Sequence, residues 1–344
     1  MWQLRNLTPF AARAMLERDK TGREVWAATV KGTFDLPRAP GAVPSLAEDQ
    51  PDVLLAPLTE GADNEILRAE GEIAPFLPAG EVLMRGAVRP PADDLQALPL
   101  TLSVAGRAKR AILFGRRRVA PRMLGGWRLA SEEPVTETEL CWTNAFGGLA
   151  LAKPGRGAPD NPIGVGFDMA DGGGGLSEDD LVEVPRFGPG RLDPLSEHRA
   201  RVPVGFGPVP RAWPARARYA GTFDGAWEKD RAPLLPKDFD ARFYHAAPED
   251  QWQPGGWKGG EAVHLEGFLP EGDMRFDVPQ SVLTFQAHIG RSRTSTRMAL
   301  TRMIIDLTAR QVSFLWTAFI DCNGREEVLW GGTVQLKQIS RVTL

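Results

Sequence analysis

The sequence predicts a mainly β protein: antiparallel β-sandwich or open-barrel lobes joined by long irregular loops, with few and short helices. Three observations carry this. The 344 residues include 37 Gly and 29 Pro, which interrupt helices often enough to exclude long bundles and coiled coils. Short runs rich in β-branched and aromatic residues recur along the chain, each bounded by Gly, Pro or charge. Between them lie stretches with too little apolar content to hold regular structure.

In chain order, the first strand runs from Glu24 to Leu36, where Val25, Trp26, Thr29, Val30 and Phe34 precede Pro37. Val82 to Val88, Leu100 to Val104, Ala111 to Phe114 and Val135 to Trp142 follow. In the last, strict alternation sets Thr136, Thr138, Leu140 and Trp142 on one face and Val135, Glu137, Glu139 and Cys141 on the other. Ala152 to Leu192 then holds 10 Gly and 5 Pro and reads as a flexible connection. It separates an N-terminal β domain, residues 1–151, from a C-terminal β domain, residues 193–344. Strands return at Ala262 to Phe268, Val282 to Ile289, Arg302 to Leu307, Val312 to Ile320 and Thr333 to Ile339. Thr308 to Gln311 closes a hairpin. Lys31-Gly32-Thr33-Phe34-Asp35 is echoed in part by Ala220-Gly221-Thr222-Phe223-Asp224, a match short enough to read as coincidence.

Composition narrows the function classes. With 41 basic against 44 acidic residues, the chain lacks the positive field of a general nucleic-acid binder. No stretch approaches the roughly 18 apolar residues of a membrane span, so no membrane partner is expected. The N-terminus alternates Arg5 and Arg13 with Trp2, Leu4, Leu7 and Phe10, but Pro9 interrupts it before any secretory h-region forms. Two cysteines, Cys141 and Cys322, are too few for a disulfide framework. These features lead to the expectation of a soluble cytoplasmic protein.

No catalytic constellation emerges. His198, His245, His264 and His288 lack metal-ligand spacing, so any metal site would assemble from distant loops, and none is expected. His264 and His288 read as satisfied sheet residues. There is no GxSxG elbow, and both cysteines read as structural thiols. Gly172 to Gly175 is followed by Glu178, Asp179 and Asp180, whose charge would repel a phosphate. Abundant carboxylates and ten tryptophans leave a glycan-active or glycan-binding protein as an alternative. A secreted effector or immunity component is another. Two charge blocks, eight basic residues from Arg107 to Arg128 and eight acidic ones from Glu48 to Glu72, read either as solvated faces or as partner surfaces.

Val204 to Gln251 is unlike the rest. Phe206, Trp213, Tyr219, Phe223, Trp227, Phe239, Phe243 and Tyr244 are interleaved there with six prolines and with Arg211, Arg216, Arg218 and Arg242. Rings bury large areas and prolines restrict the unfolded chain, so this is an ordered irregular segment. Its composition suits a domain core and a protein interface equally. As an interface, Trp213, Arg216, Arg218, Trp227, Phe239, Arg242 and Phe243 would be its contact residues.

The same segment carries a resemblance. Gly205-Phe206-Gly207, Arg211, Trp213, Arg216, Gly221-Thr222-Phe223-Asp224, Trp227, Leu235-Pro236, Asp238-Phe239-Asp240, Arg242-Phe243, Ala247-Pro248 and Gln251 resemble the central signature of the DUF2169 family, a bacterial domain of unknown function. Asn6-Leu7-Thr8-Pro9-Phe10, Val30-Lys31-Gly32-Thr33-Phe34 and Asn161-Pro162-Ile163-Gly164-Val165-Gly166-Phe167 precede it in the family's order. The resemblance implies a non-enzymatic, cofactor-free accessory of the type VI secretion system. Such a protein would be an adaptor or chaperone that stabilises a toxin effector and helps load it onto a VgrG-type spike.

Overall fold

The computed structural model describes residues 3–39, 41–62, 65–189 and 202–344. Strands dominate, the helices are single turns or little more, and no sheet closes into a barrel among the described residues. The largest sheet orders its strands Trp252–Gln253, Gly80–Arg85, Ala299–Asp306, Gln311–Asp321, Glu24–Asp35 and Ala11–Arg18, with Ser45–Leu46 against the end of Glu24–Asp35. A five-stranded sheet runs Phe187–Gly188, Arg107–Phe114, Ala97–Val104, Ala262–Glu266, Met274–Asp277. A four-stranded sheet runs Gln3–Leu7, Leu329–Ser340, Gln280–Ile289, Ser292–Arg297. Most pairings are antiparallel, but Gly80–Arg85 runs parallel to Ala299–Asp306 and Gln3–Leu7 parallel to Leu329–Ser340.

Strands from both sides of residues 152–192 share these sheets. Glu24–Asp35 pairs along its whole length with Gln311–Asp321, and Ala97–Val104 pairs with Ala262–Glu266. One apolar core collects Phe34 and Trp316 from the largest sheet, Leu100, Leu113 and Val263 from the second, and Phe285 and Val334 from the third. The connection is itself paired where it is described: Val182–Glu183 joins Arg117–Pro121, and Phe187–Gly188 joins Arg107–Phe114. Residues 190–201, including His198, lie outside the described residues. The expected strand from Val135 to Trp142 shortens to Thr138–Glu139, and Trp142–Asn144 turns into a 3-10 helix. The Thr308–Gln311 hairpin forms as expected, with Arg310 at φ 57°. The two echoed segments differ: Lys31 to Asp35 is central strand, whereas Ala220 to Asp224 is irregular chain whose last residue caps a helix.

The sequence motifs have local physical reasons. Asn6 accepts the Thr8 amide at 3.0 Å and donates Nδ2 to the Phe10 carbonyl at 2.7 Å, a turn that delivers the Phe10 ring into the core. There it stacks on Trp316 at 5.7 Å and meets Phe34 edge-on. Gly32 leaves the room: a Cβ at that position would sit 3.0 Å from Phe10. Asn161 is fully buried and donates to the Trp142 and Phe146 carbonyls at 2.8 and 2.9 Å.

Candidate functional site

The largest sheet has two unlike faces, because side chains alternate along each strand. Trp26, Ala28, Val30 and Phe34 enter the apolar core together with Met303, Ile305, Phe314 and Trp316. Between them, Thr29, Lys31, Thr33, Glu81, Arg302, Ser313 and Thr317 point the other way and are also buried. Three groups of buried charge organise that second face. Lys31 Nζ lies 2.8 and 3.0 Å from the two oxygens of Glu72. Glu81 accepts Arg302 Nε at 2.6 Å through one oxygen. Through the other it takes the Ala246 and Ala247 amides, each at 2.9 Å, with His245 Nδ1 at 3.3 Å. Glu70 accepts Arg216 at 2.7 Å and Arg211 at 2.8 Å. Gly71 links two of the groups, since its carbonyl accepts Arg302 Nη1 and its amide donates to Glu70, both at 2.9 Å.

Burial works to raise the Glu81 carboxyl. The Arg302 charge, His245 and the Ala247 amide outweigh it and hold that group at about 2. Burial likewise opposes ionisation of Glu70, and Arg211 and Arg216 overcome it, so its pKa is lowered. Both carboxylates are therefore ionised at neutral pH.

This ionised face is the seat of the aromatic and proline-rich segment. Arg216 is 3% exposed and, beyond Glu70, donates to the Val209 carbonyl at 2.8 Å and the Phe243 carbonyl at 3.0 Å. One guanidinium thus gathers three turns of irregular chain onto the sheet. Gln251 donates to the Val82 and Phe206 carbonyls at 2.8 and 3.0 Å and accepts Lys109 at 2.9 Å. Trp252 stacks on His245 at 4.2 Å. Trp142 donates to the Pro208 carbonyl at 2.9 Å and meets Trp213 edge-on at 5.7 Å.

The seven residues expected to contact a partner divide accordingly. Trp213, Arg216 and Phe239 are buried and hold the segment in place. Phe243 is half-buried beside Phe239 and Tyr244, at 5.9 and 6.5 Å. Arg218, Arg242 and Trp227 reach the outer surface. Arg218 and Arg242 flank the Tyr219 ring at 4.8 and 4.4 Å, and Glu249 accepts both Arg218 and, at 2.7 Å, the Tyr219 hydroxyl. Trp227 meets Phe223 edge-on at 4.8 Å, and Phe223 is 56% exposed. Asp224 caps the helix Gly225–Asp230 by accepting the Trp227 amide at 2.8 Å. The result is a ridge of rings and guanidinium groups fixed on a rigid base.

Lys31, Glu81 and Arg302 were absent from the sequence-based candidates, and Glu70 and Glu72 appeared there only as part of the acidic block. The signal of the first three was a lone charge inside an otherwise apolar strand, as with Lys31 between Val30 and Gly32. The acidic and basic blocks are partly internal: Glu70 and Glu72 are buried, and so are Lys109 and Arg117.

Beside the segment lies a cleft of about 340 Å³ lined by Met84, Leu140, Trp142, Pro208 and Pro210. Its charges are matched internally, Arg68 to Glu60 and Glu139, and Arg85 to Asp306. Cys141 is half-buried on its wall, whereas Cys322 is buried and its thiol is pushed up by burial and by Glu326. His264 Nδ1 lies 3.1 Å from Glu266 and Nε2 lies 3.7 Å from Asp273. These three residues could hold a metal ion, and a single hairpin brings them together rather than distant loops. No helix among the described residues is long and apolar enough to cross a membrane.

The fold and the segment thus define a mainly β protein that presents an ordered aromatic and arginine surface. A family model for an uncharacterized protein conserved in bacteria, DUF2169, matches residues 21–317, and the chain belongs to that family. Neither the curated proteins nor the solved structures contain a match.

Proposed function

We propose that the protein is a non-enzymatic adaptor or chaperone that holds a type VI secretion effector in the bacterial cytoplasm and helps load it onto a VgrG-type spike. The observation that carries this reading is the ridge of Tyr219, Phe223, Trp227, Arg218 and Arg242, set in fixed geometry on a buried ionic base. Aromatic and arginine side chains concentrate binding energy at protein interfaces, and a pre-ordered backbone avoids the entropic cost of ordering on association. The family resemblance supplies the partner class.

Deleting the gene should lower the abundance of the cognate effector and abolish its co-precipitation with the spike. Unchanged abundance together with an intact complex would overturn the reading. Within the ridge, Trp227→Ala combined with Arg242→Glu should weaken effector capture by about tenfold or more, as expected when interface anchors are truncated, with the thermal midpoint nearly unchanged.

A further inference from the structure

Two features meet at one side of the molecule away from the ridge. Ser292–Arg297 is the outer strand of the four-stranded sheet: it pairs with Gln280–Ile289 and, among the described residues, with no strand on its other side. All but Thr296 of its residues are exposed. Phe285, Ala287 and Ile289 on the neighbouring strand are buried, yet the residues directly across from them are Thr296, Thr294 and Ser292. The strand is straight in register and free of proline, so its outer backbone groups can accept another strand.

Beside Arg297 opens a cavity of about 440 Å³. Trp257, Met298, Leu300 and Trp316 give it apolar walls, Lys258 and Arg297 are its charged residues, and no carboxylate lines it. Ser281 fixes one wall, accepting Trp316 Nε1 on its hydroxyl at 2.7 Å and Arg297 on its carbonyl at 3.0 Å. Lys258, Arg291, Arg293 and Arg297 are all exposed, and none forms an ion pair among the described residues. Arg293 and Arg297 on the free edge, Arg291 just before it and Lys258 across the cavity leave four side-chain cations without an ion pair among the described residues, while Glu261 near Lys258 is engaged by the Lys258 and Gly259 amides at 2.7 and 2.9 Å; together these define a complementary partner.

We propose that this edge and cavity dock an extended acidic segment of a partner protein. The segment adds a strand beside Ser292–Arg297, sets its carboxylates against Arg293, Arg297 and Lys258, and places one apolar side chain in the cavity. Backbone pairing would supply affinity, while alternate side chains would supply specificity. The same cations keep two copies of this edge apart, so the charge that invites an acidic strand also prevents self-pairing. The inference rests on the protein-binding role proposed above and adds a second contact to it.

The probe is a capped hexapeptide alternating glutamate with valine and leucine, added to the full-length protein. Tryptophan fluorescence reports on Trp257 and Trp316, and amide exchange reports on residues 292–297. The expected result is saturable binding with exchange protection over 292–297, weakened by added salt. Replacing the peptide's glutamates by lysine, methylating its alternate backbone nitrogens, or introducing Arg293→Glu with Arg297→Glu should each weaken binding by about tenfold or more. Ala299→Trp, at an exposed position on the cavity wall, should abolish the fluorescence change. Absence of binding, equal binding of acidic and basic peptides, or protection confined to other strands would overturn the inference. Those outcomes are separate from the gene deletion: an adaptor whose effector complex survives Arg293→Glu with Arg297→Glu keeps the ridge and loses this edge.

Discussion

The two faces of the largest sheet are made by the same strands and solve burial in opposite ways. On one, Trp26, Val30, Phe34, Ile305, Phe314 and Trp316 form a continuous apolar layer. On the other, Lys31, Glu81 and Arg302 are buried just as deeply but are neutralised by specific partners. The difference lies in what covers them. Regular strands cover the apolar face and satisfy their own backbones. Irregular chain covers the ionised face, and its amides and carbonyls need partners that no neighbouring strand provides. Glu81 accepts the Ala246 and Ala247 amides, while Arg216 satisfies the Val209 and Phe243 carbonyls. Charge here holds loop backbone to a sheet.

The sharpest way to break the comparison is Arg302→Met. It strands the Glu81 carboxylate in the interior, and chemical denaturation should show a loss of about 3–5 kcal/mol. Adding Glu81→Leu, a swap that often restores stability where only an ion pair is lost, should recover only part, because the Ala246 and Ala247 amides then have no acceptor. Full recovery would mean that the ionised face is dispensable for anchoring the segment.

Acid should separate the faces next. The Glu81 carboxyl is held at about 2 against an ordinary 4.5, so its contribution is fully present above about 4.5 and is lost as pH falls towards 2. The shift corresponds to on the order of 3 kcal/mol. Glu70, also lowered, acts in the same direction. Denaturation midpoints measured between pH 6 and 3 should fall, with Trp252 fluorescence changing before the core unfolds.

On the apolar face, Ile305→Val should cost about 1 kcal/mol with no change in the pH profile. A pH-dependent effect there would merge the two faces into one. The smallest effect belongs to the outer surface: Arg242→Ala removes an exposed pair with Asp240 and should leave the denaturation midpoint almost unchanged, leaving its influence to partner capture.

The sequence displayed the apolar face far better than the ionised one. Trp26, Val30 and Phe34 announce a strand by alternation, and so do Val312 to Ile320. Lys31 and Arg302 fall on polar positions of the same alternation, where the pattern normally means solvent, and nothing local distinguishes a charge that faces water from one that faces Glu72 or Glu81 across 41 or 221 residues. The N-terminal strands Gln3–Leu7 and Ala11–Arg18 were masked by their arginines and by Pro9 between them. Ser292–Arg297 was masked because an exposed edge strand carries no apolar alternation. The irregular segment was legible as ordered from its rings and prolines. Which rings face inward was not, because that depends on Arg216 finding Glu70, 146 residues away.

One pairing described above bears on synthesis. The Thr33 and Ser313 hydroxyls lie 3.0 Å apart although 280 residues separate them, since the strand Glu24–Asp35 is completed by Gln311–Asp321. A ribosome delivers residues at about 5–20 per second, so the strand emerges many seconds before its neighbour. During that interval Ala11–Arg18 can cover only one of its edges, and the other edge, which Gln311–Asp321 will fill, is open and prone to join any exposed strand it meets. Truncation ahead of Gln311 should therefore yield insoluble chains rather than a stable N-terminal half.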